Sequence, residues 1–198
     1  MVPWVVPVII GLAGWAGAGK DSVADILVED FGFKKMAFAD PLREMALAID
    51  PVVGAAYPPE AEFSKQIRYS DALDLVGYNE AKFKYPEVRR FLQRLGTEAV
   101  RNVIGPNTWV EIGMRRAAEF PRVVFADMRF QNEAVAVANA DEGITARVMR
   151  PGVEAANDHI SETDLNSWSF HHVIDNSGSL SNLREMVGVM LDAIDPIT

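Results

Sequence analysis

The 198-residue sequence contains no cysteine. Disulfides, thiolate nucleophiles and cysteine-ligated metals are excluded, and the chain suits a reducing, cytoplasmic setting. Histidine is scarce as well: His159, His171 and His172 do not form a metal-ligand spacing. Basic residues are outnumbered, 19 against 28 acidic ones, for a net charge of −9. A nucleic-acid polymer, gripped through many Lys and Arg contacts to phosphate, is therefore not an expected partner. A small anion remains compatible, because a few locally placed arginines outweigh the global sign. Long uninterrupted apolar runs are missing too. Met1–Gly19 carries no charge, but Pro3, Pro7 and four glycines spoil a spanning helix, and no basic residue opens it as a signal peptide. No membrane partner is expected. There is no internal repeat and no low-complexity tract.

What is present is an alternation of short apolar runs and amphipathic stretches. Val8–Leu12 reads as a buried strand. After a glycine-rich stretch, Val23, Ala24, Ile26 and Leu27 keep helical spacing through Lys20–Asp30, and Gly32 ends that helix. Met36–Phe38, Arg122–Asp127, Ile144–Met149 and Val173–Asp175 are four more strand candidates. Pro41 opens a helix, and Pro86 starts one expected to run to about Ile104. Within it Arg90, Arg94 and Arg101 share one stripe at α-helical spacing. Thr108-x-x-Glu111 reads as a capping box, Gln131–Ala140 as a helix, and Ser179 as the cap of a terminal helix. Residues 51–85 are the least legible: Val52–Pro59 reads as loop and Glu60–Leu75 as helix. Residues 152–170 are polar and irregular, suited to a lid. The implied fold class is α/β, three layers with a mostly parallel five-stranded sheet, and ligands of such sheets bind at the carboxyl ends of the strands.

"GWAGAGKDS", Gly14 to Ser22, lies at one such end. Gly14-x-x-x-x-Gly19-Lys20 has the spacing of a phosphate-binding loop. Gly14, Gly17 and Gly19, with the small Ala16 and Ala18 between them, let the backbone turn its N–H groups inward. The helix that follows adds its positive end, and Lys20 adds a mobile cation. A plain glycine-rich turn is the alternative, but the preceding strand and following helix are the context the loop requires. Asp21 stands where a metal-binding hydroxyl is usual. It can face Mg²⁺ directly, face it through water, or cap the helix; Ser22 remains for the α-phosphate.

Several stretches together carry a resemblance. "FGFKKMAFADPLR", with its Asp40-x-Leu42-Arg43 run, resembles the acceptor-binding segment of adenylate-kinase-like nucleoside monophosphate kinases. "LQRLGTEAVRNVIGPNTWV", "FADMRFQNEA", "DHISET" and the Gly-Lys-Asp loop resemble the phage-type deoxynucleoside monophosphate kinases, over nearly the whole chain and most weakly at 50–85. The resemblance implies a single P-loop kinase domain over 1–198, with a helical acceptor-binding insert at 40–105 and a lid-like segment at 150–172. It implies ATP as donor with Mg²⁺, small-molecule nucleotides as partners, a monomer or homodimer, and the host cytoplasm if the chain is phage-encoded. Lys20 would bridge the transferred phosphoryl group, Asp40 and Arg43 would serve the acceptor phosphate, and Asp127 would orient the metal or its waters. Arg129 would reach the acceptor phosphate, and Arg150 would cover the group in transfer. Gln131, Asn132 and Glu133 would lie near the acceptor base or sugar, Arg94 and Arg101 would contact substrate, and Asn176 in "VIDNSGSL" would border the donor adenine.

On the residues alone, plainer readings stand beside these. Arg43 is a solvated cation at a helix start, and the Arg90 stripe is a solvated face. Asp127 and Arg129 could form a structural ion pair, although a carboxylate closing a buried strand is costly unless it is paired or metal-linked. Trp109 reads as packing. His159, Ser161 and Glu162 are either a lid cluster or a polar turn. Two further functions compete: another small-molecule P-loop kinase, such as one acting on dephospho-coenzyme A, and a nucleotide-sensing module without turnover. A GTPase is disfavoured by the lack of an Asn-Lys-x-Asp segment.

Overall fold

In the computed structural model, residues 6–56, 65–154 and 163–193 are described. The expected lid cluster of His159, Ser161 and Glu162 lies outside them. The chain divides into two compact units, Met1–Phe38 with Val110–Thr198, and Ala39–Trp109.

The first unit is built on β1 (Val8–Ala13), β2 (Lys34–Met36), β5 (Arg122–Phe125), β6 (Glu142–Met149) and β7 (His172–Asp175). They form one sheet in the order β2-β5-β1-β6-β7, and every neighbouring pair is parallel. Side chains alternate between its faces. Ile10 and Leu12 of β1 pack with Val23, Ile26 and Leu27 of α1 (Lys20–Phe31) and with Leu183, Val187 and Met190 of the C-terminal helix α7 (Leu180–Asp192). Ile9 and Ala13 face the other way, toward Val110 and Ala117 of α5 (Thr108–Ala117) and Ala134 and Val137 of α6 (Gln131–Ala138). The fold is thus α/β with helices on both faces of a parallel sheet, as the alternating pattern predicts. Helix α1 begins at Gly19 without a side-chain cap. A glycine in place of a capping side chain costs only about a few tenths of a kcal/mol. Burying Val23, Ile26 and Leu27 is worth roughly 1.5–3 kcal/mol each, so packing sets this helix.

In the second unit, α2 (Asp40–Ile49) is followed by an antiparallel pair, β3 (Val52–Ala56) and β4 (Lys65–Arg68), and then by α3 (Tyr69–Lys84), broken at Gly77, and α4 (Pro86–Gln93). Two expectations are corrected here. The loop expected at Val52–Pro59 begins as a strand, and within the helix expected at Glu60–Leu75 the described residues form a strand over Lys65–Arg68 before a helix starts at Tyr69. β3 is short and glycine-interrupted, with a bulge between Val52 and Gly54, so it shows no alternation to read. The long helix from Pro86 also stops being α-helical. Arg94–Arg101 is a π-helical turn, with Asn102 N–H bonded to the Thr97 carbonyl five residues back. The wider turn takes Arg101 off the stripe that α-helical spacing gives it with Arg90 and Arg94.

Tyr69 is the largest fully buried side chain of this unit, and its hydroxyl has no hydrogen-bond partner among the described residues. Burial, helped by the neighbouring Tyr78 and opposed by Arg43, pushes its pKa up to about 12. The neutral phenol is therefore favoured by folding. That contribution is complete below the ordinary tyrosine value near 10 and is lost as pH rises toward 12. Tyr69→Phe is expected to raise the free energy of unfolding by about 1 kcal/mol near neutral pH and to flatten the alkaline loss of stability, as read by urea titration at pH 8 and pH 11.

Candidate phosphate-binding site

The strand order places a crevice where chain connections diverge. The chain leaves β1 toward β2 on one side, and leaves β6 toward β7 on the other. The gap between β1 and β6, at their carboxyl ends, is the ligand position of such sheets. The loop Gly14–Gly19 fills it.

Its backbone requires its glycines. Gly14, Gly17 and Gly19 have φ of 143°, 84° and 102°. A Cβ on Gly14 would stand 2.5 Å from the Val148 carbonyl oxygen. A Cβ on Gly19 would strike the Asn176 side-chain amide. Lys20 folds its ammonium over the loop and donates to the carbonyls of Gly14 at 2.6 Å and Trp15 at 3.0 Å. Cation, curled backbone and the uncapped start of α1 therefore converge on one point, an arrangement suited to a polyanion. Ala16 and Gly17 are exposed at the loop tip, and Ala18 is buried beneath it. Asn176, beyond β7, donates its Nδ2 to the Ala18 carbonyl at 2.9 Å and so fastens the loop from the far strand.

The other expected residues of this unit have definite settings. Asp21 is exposed on the first turn of α1 and pairs with Lys35 at 3.0 Å; Lys35 also holds Asp25 at 2.9 Å. Burial pulls the Lys35 pKa down, but the two carboxylates outweigh it and hold the ammonium above its ordinary value. Ser22 is exposed beside Asp21. Asp127 follows β5 and accepts the Phe38 N–H at 2.8 Å, tying the exit of β2 to the exit of β5. Arg129 lies two residues on, half-buried. Its backbone N–H and that of Phe130 both donate to the Glu133 carboxylate, at 2.6 and 3.0 Å, which closes the turn at the start of α6. Glu133 is buried, so this carboxylate serves the turn that carries Arg129. Asn132 accepts the Glu133 N–H at 3.1 Å. Gln131 is fastened to Asp164, within the expected lid segment, through its backbone N–H at 2.8 Å and its side-chain Nε2 at 3.0 Å. Arg150 is exposed just past β6.

Sequence reasoning passed over two residues at the crevice. Trp15 stands inside the loop, and its indole N–H is buried without a hydrogen-bond partner among the described residues, at a cost of about 1–3 kcal/mol. Arg147, on β6, lies over the Trp15 ring. Only its even spacing from Thr145 in a strand pattern could have marked it.

In the second unit, Asp40 and Arg43 form an ion pair at 3.0 Å on the first turn of α2, and the Arg43 guanidinium lies over the Tyr78 ring. A cleft of about 660 Å³ runs along α4 and the π turn, lined by Arg90, Phe91, Arg94 and Leu95 and closed by Pro51 and Val52. Arg94 borders it, paired with Glu98 at 3.4 Å, and Arg101 does not. Trp109 is buried and donates its Nε1 to the Gly96 carbonyl, across the π turn.

Gly19→Ala and Asn176→Ala are expected to be non-additive. The first forces an L side chain into the left-handed region and against the Asn176 amide, costing roughly 1–2 kcal/mol or more. The second removes one hydrogen bond, worth about 0.5–1.5 kcal/mol. The double variant, lacking the clash, should be more stable than the sum of the singles, as measured in a denaturant double-mutant cycle.

Comparisons with known proteins meet this geometry. The deoxynucleotide monophosphate kinase family matches residues 60–187, more than half of the chain. A protein of Acanthamoeba polyphaga mimivirus, provisionally named as a deoxynucleotide monophosphate kinase, is 27% identical over 187 residues, covering 84% of this chain and 86% of the relative. Among solved structures, a dephospho-CoA kinase from Campylobacter jejuni is similar in fold, with a TM-score of 0.50 at 15% identity, covering 97% of this chain and 100% of that one. No helix among the described residues is long and apolar enough to cross a membrane. The chain belongs to the deoxynucleotide monophosphate kinase family and is a nucleotide kinase of P-loop type.

Proposed function

We propose that the protein phosphorylates deoxynucleoside monophosphates to diphosphates at the expense of ATP. The observation that carries this reading is the Lys20 ammonium set over the Gly14–Gly19 backbone at the start of α1, in a chain of this family. An acceptor monophosphate is already an anionic nucleophile near neutral pH. It needs no strong general base, and the work left to the protein is positioning and charge neutralisation.

The roles follow from charge and placement. Loop amides and Lys20 hold the donor's β- and γ-phosphates, and Asn176 keeps the loop in shape beside the donor base. An acceptor oxygen attacks the γ-phosphorus in line, the bond from that phosphorus to the β,γ-bridging oxygen breaks, and ADP departs. Arg43, Arg129 and Arg150 neutralise the acceptor phosphate and the group in transfer, and Asp40 steadies Arg43. Asn132, Arg94 and Arg101 are proposed to contact the acceptor nucleoside, and Glu133 to act there through the turn it caps. Closure of 150–172 would exclude water, which suppresses transfer to water instead of acceptor.

The donor set fits magnesium carried mainly by phosphate oxygens. Among the described residues there is no cluster of three acidic or imidazole groups, and Mg²⁺ in such sites leans on one or two carboxylates plus substrate. Asp127 and Asp21 would face its hydration shell. When bound, the ion would offset charge on the phosphates. A cytoplasmic enzyme acting as a monomer or homodimer completes the proposal.

A coupled ADP-release assay across deoxy- and ribonucleoside monophosphates tests it. Turnover with at least one deoxy acceptor is expected, with a loss of about a hundredfold or more in Lys20→Ala. Phosphorylation of dephospho-coenzyme A with no monophosphate accepted would overturn the substrate class, and ATP binding with no acceptor used would favour a sensing module. Arg43→Ala should raise the acceptor KM while ATP affinity, read by titration, stays near wild type.

A further inference from the structure

Arg147 sits near the carboxyl end of β6, directly opposite Ala13, the last residue before the phosphate loop. Strand alternation sends its side chain to the face of Thr145, away from α1. There the guanidinium lies over two aromatic rings, 5.2 Å from the Trp15 centroid and 5.7 Å from that of Phe170. One nitrogen, Nη2, donates to the Asn166 side-chain oxygen at 3.2 Å.

All of these partners are neutral. The chain carries 28 acidic residues against 19 basic ones, and its other cations readily take carboxylates: Lys35, Arg43, Arg90, Arg94 and Arg184 all do. Among the described residues Arg147 has no carboxylate partner. Two aromatic rings contact it without neutralising its charge, and of five N–H donors one is spent on Asn166. A flat, unneutralised guanidinium fixed at the switch point, touching the ring of a phosphate-loop residue, is built to receive an oxyanion.

We propose that Arg147 is a further catalytic residue, one that binds a nucleotide phosphate directly, with Trp15 and Phe170 as the rings that orient it. The proposal rests on the reading of the loop as a nucleotide site. The ligand chemistry is a phosphate oxyanion, from the donor's polyphosphate or from the acceptor's monophosphate.

Calorimetric titration separates the sources and the readings. Wild type, Arg147→Met and Arg147→Lys are titrated with tripolyphosphate, with ATP and with a deoxynucleoside monophosphate. Methionine fills the space beside the rings and keeps favourable sulfur–aromatic contacts, so a merely packing role would survive it. The expected result for Arg147→Met is an unfolding midpoint near wild type and a loss of about tenfold or more in affinity for at least one ligand. Lysine, keeping charge but not the flat plate, should fall between. Loss with tripolyphosphate and ATP assigns the donor phosphates; loss with the monophosphate alone assigns the acceptor. Affinities within about twofold of wild type for all three ligands overturn the proposal. Should the methionine variant fail to fold, the lysine variant decides by the same criterion. A wild type that binds polyphosphate but turns over no monophosphate would sink the kinase reading and leave the Arg147 assignment intact; turnover with unchanged titrations does the reverse.

Discussion

The site depends on how closely two backbones meet. At the carboxyl end of the sheet, β1 and β6 converge until only a hydrogen atom fits between the Gly14 Cα and the Val148 carbonyl. That approach lets the chain leave β1 in a conformation closed to any side chain, curl back, and re-enter as α1 within six residues. The curl gathers amides, the helix start adds its partial charge, and Lys20 reaches back across the opening. The amide of Asn176, 158 positions away in sequence from Ala18, then holds the curl from outside. Each element is ordinary; their coincidence needs the parallel register that sets Ala13 beside Arg147 and Asn176 just past Met149.

Much of the first unit was legible because its signals are local. Buried parallel strands read as continuous apolar runs, and Val8–Leu12 and Val123–Ala126 are such runs. Gly32 ends α1 in the left-handed region with its N–H on the Leu27 carbonyl, as a terminal glycine does. The loop was legible because glycine spacing reports backbone conformation directly. What could not be read was the use of each polar group. The sequence shows Asp21 after Lys20 but not Lys35 arriving from β2 to pair with it. It shows Glu133 in a polar run but not its burial against the Arg129 and Phe130 amides. These partners meet through the fold, and no spacing rule contains them.

The second unit was harder for a different reason. Its strands are held by backbone pairing between small or flexible residues, so their side chains carry no period. Its long helix looks regular in sequence, yet becomes π-helical where Gly96 packs against Leu42 and offers its carbonyl to the Trp109 indole. Helix spacing assumes one geometry throughout, and the π turn breaks that assumption. Arg94 and Arg101, alike in sequence, consequently have different surroundings.

The order of strands has a kinetic consequence. β1 is central, and it pairs with β5 and β6, segments that begin more than 110 residues later. During synthesis β1 emerges before either of its partners, and the entire second unit is made before β5 and β6 follow. Loop closure over such distances is slow, and a waiting strand edge is a template for misassociation. Seating the phosphate loop at the middle of a parallel sheet thus makes assembly wait on long-range loop closure, with the edges of β1 the template that must stay unpaired meanwhile.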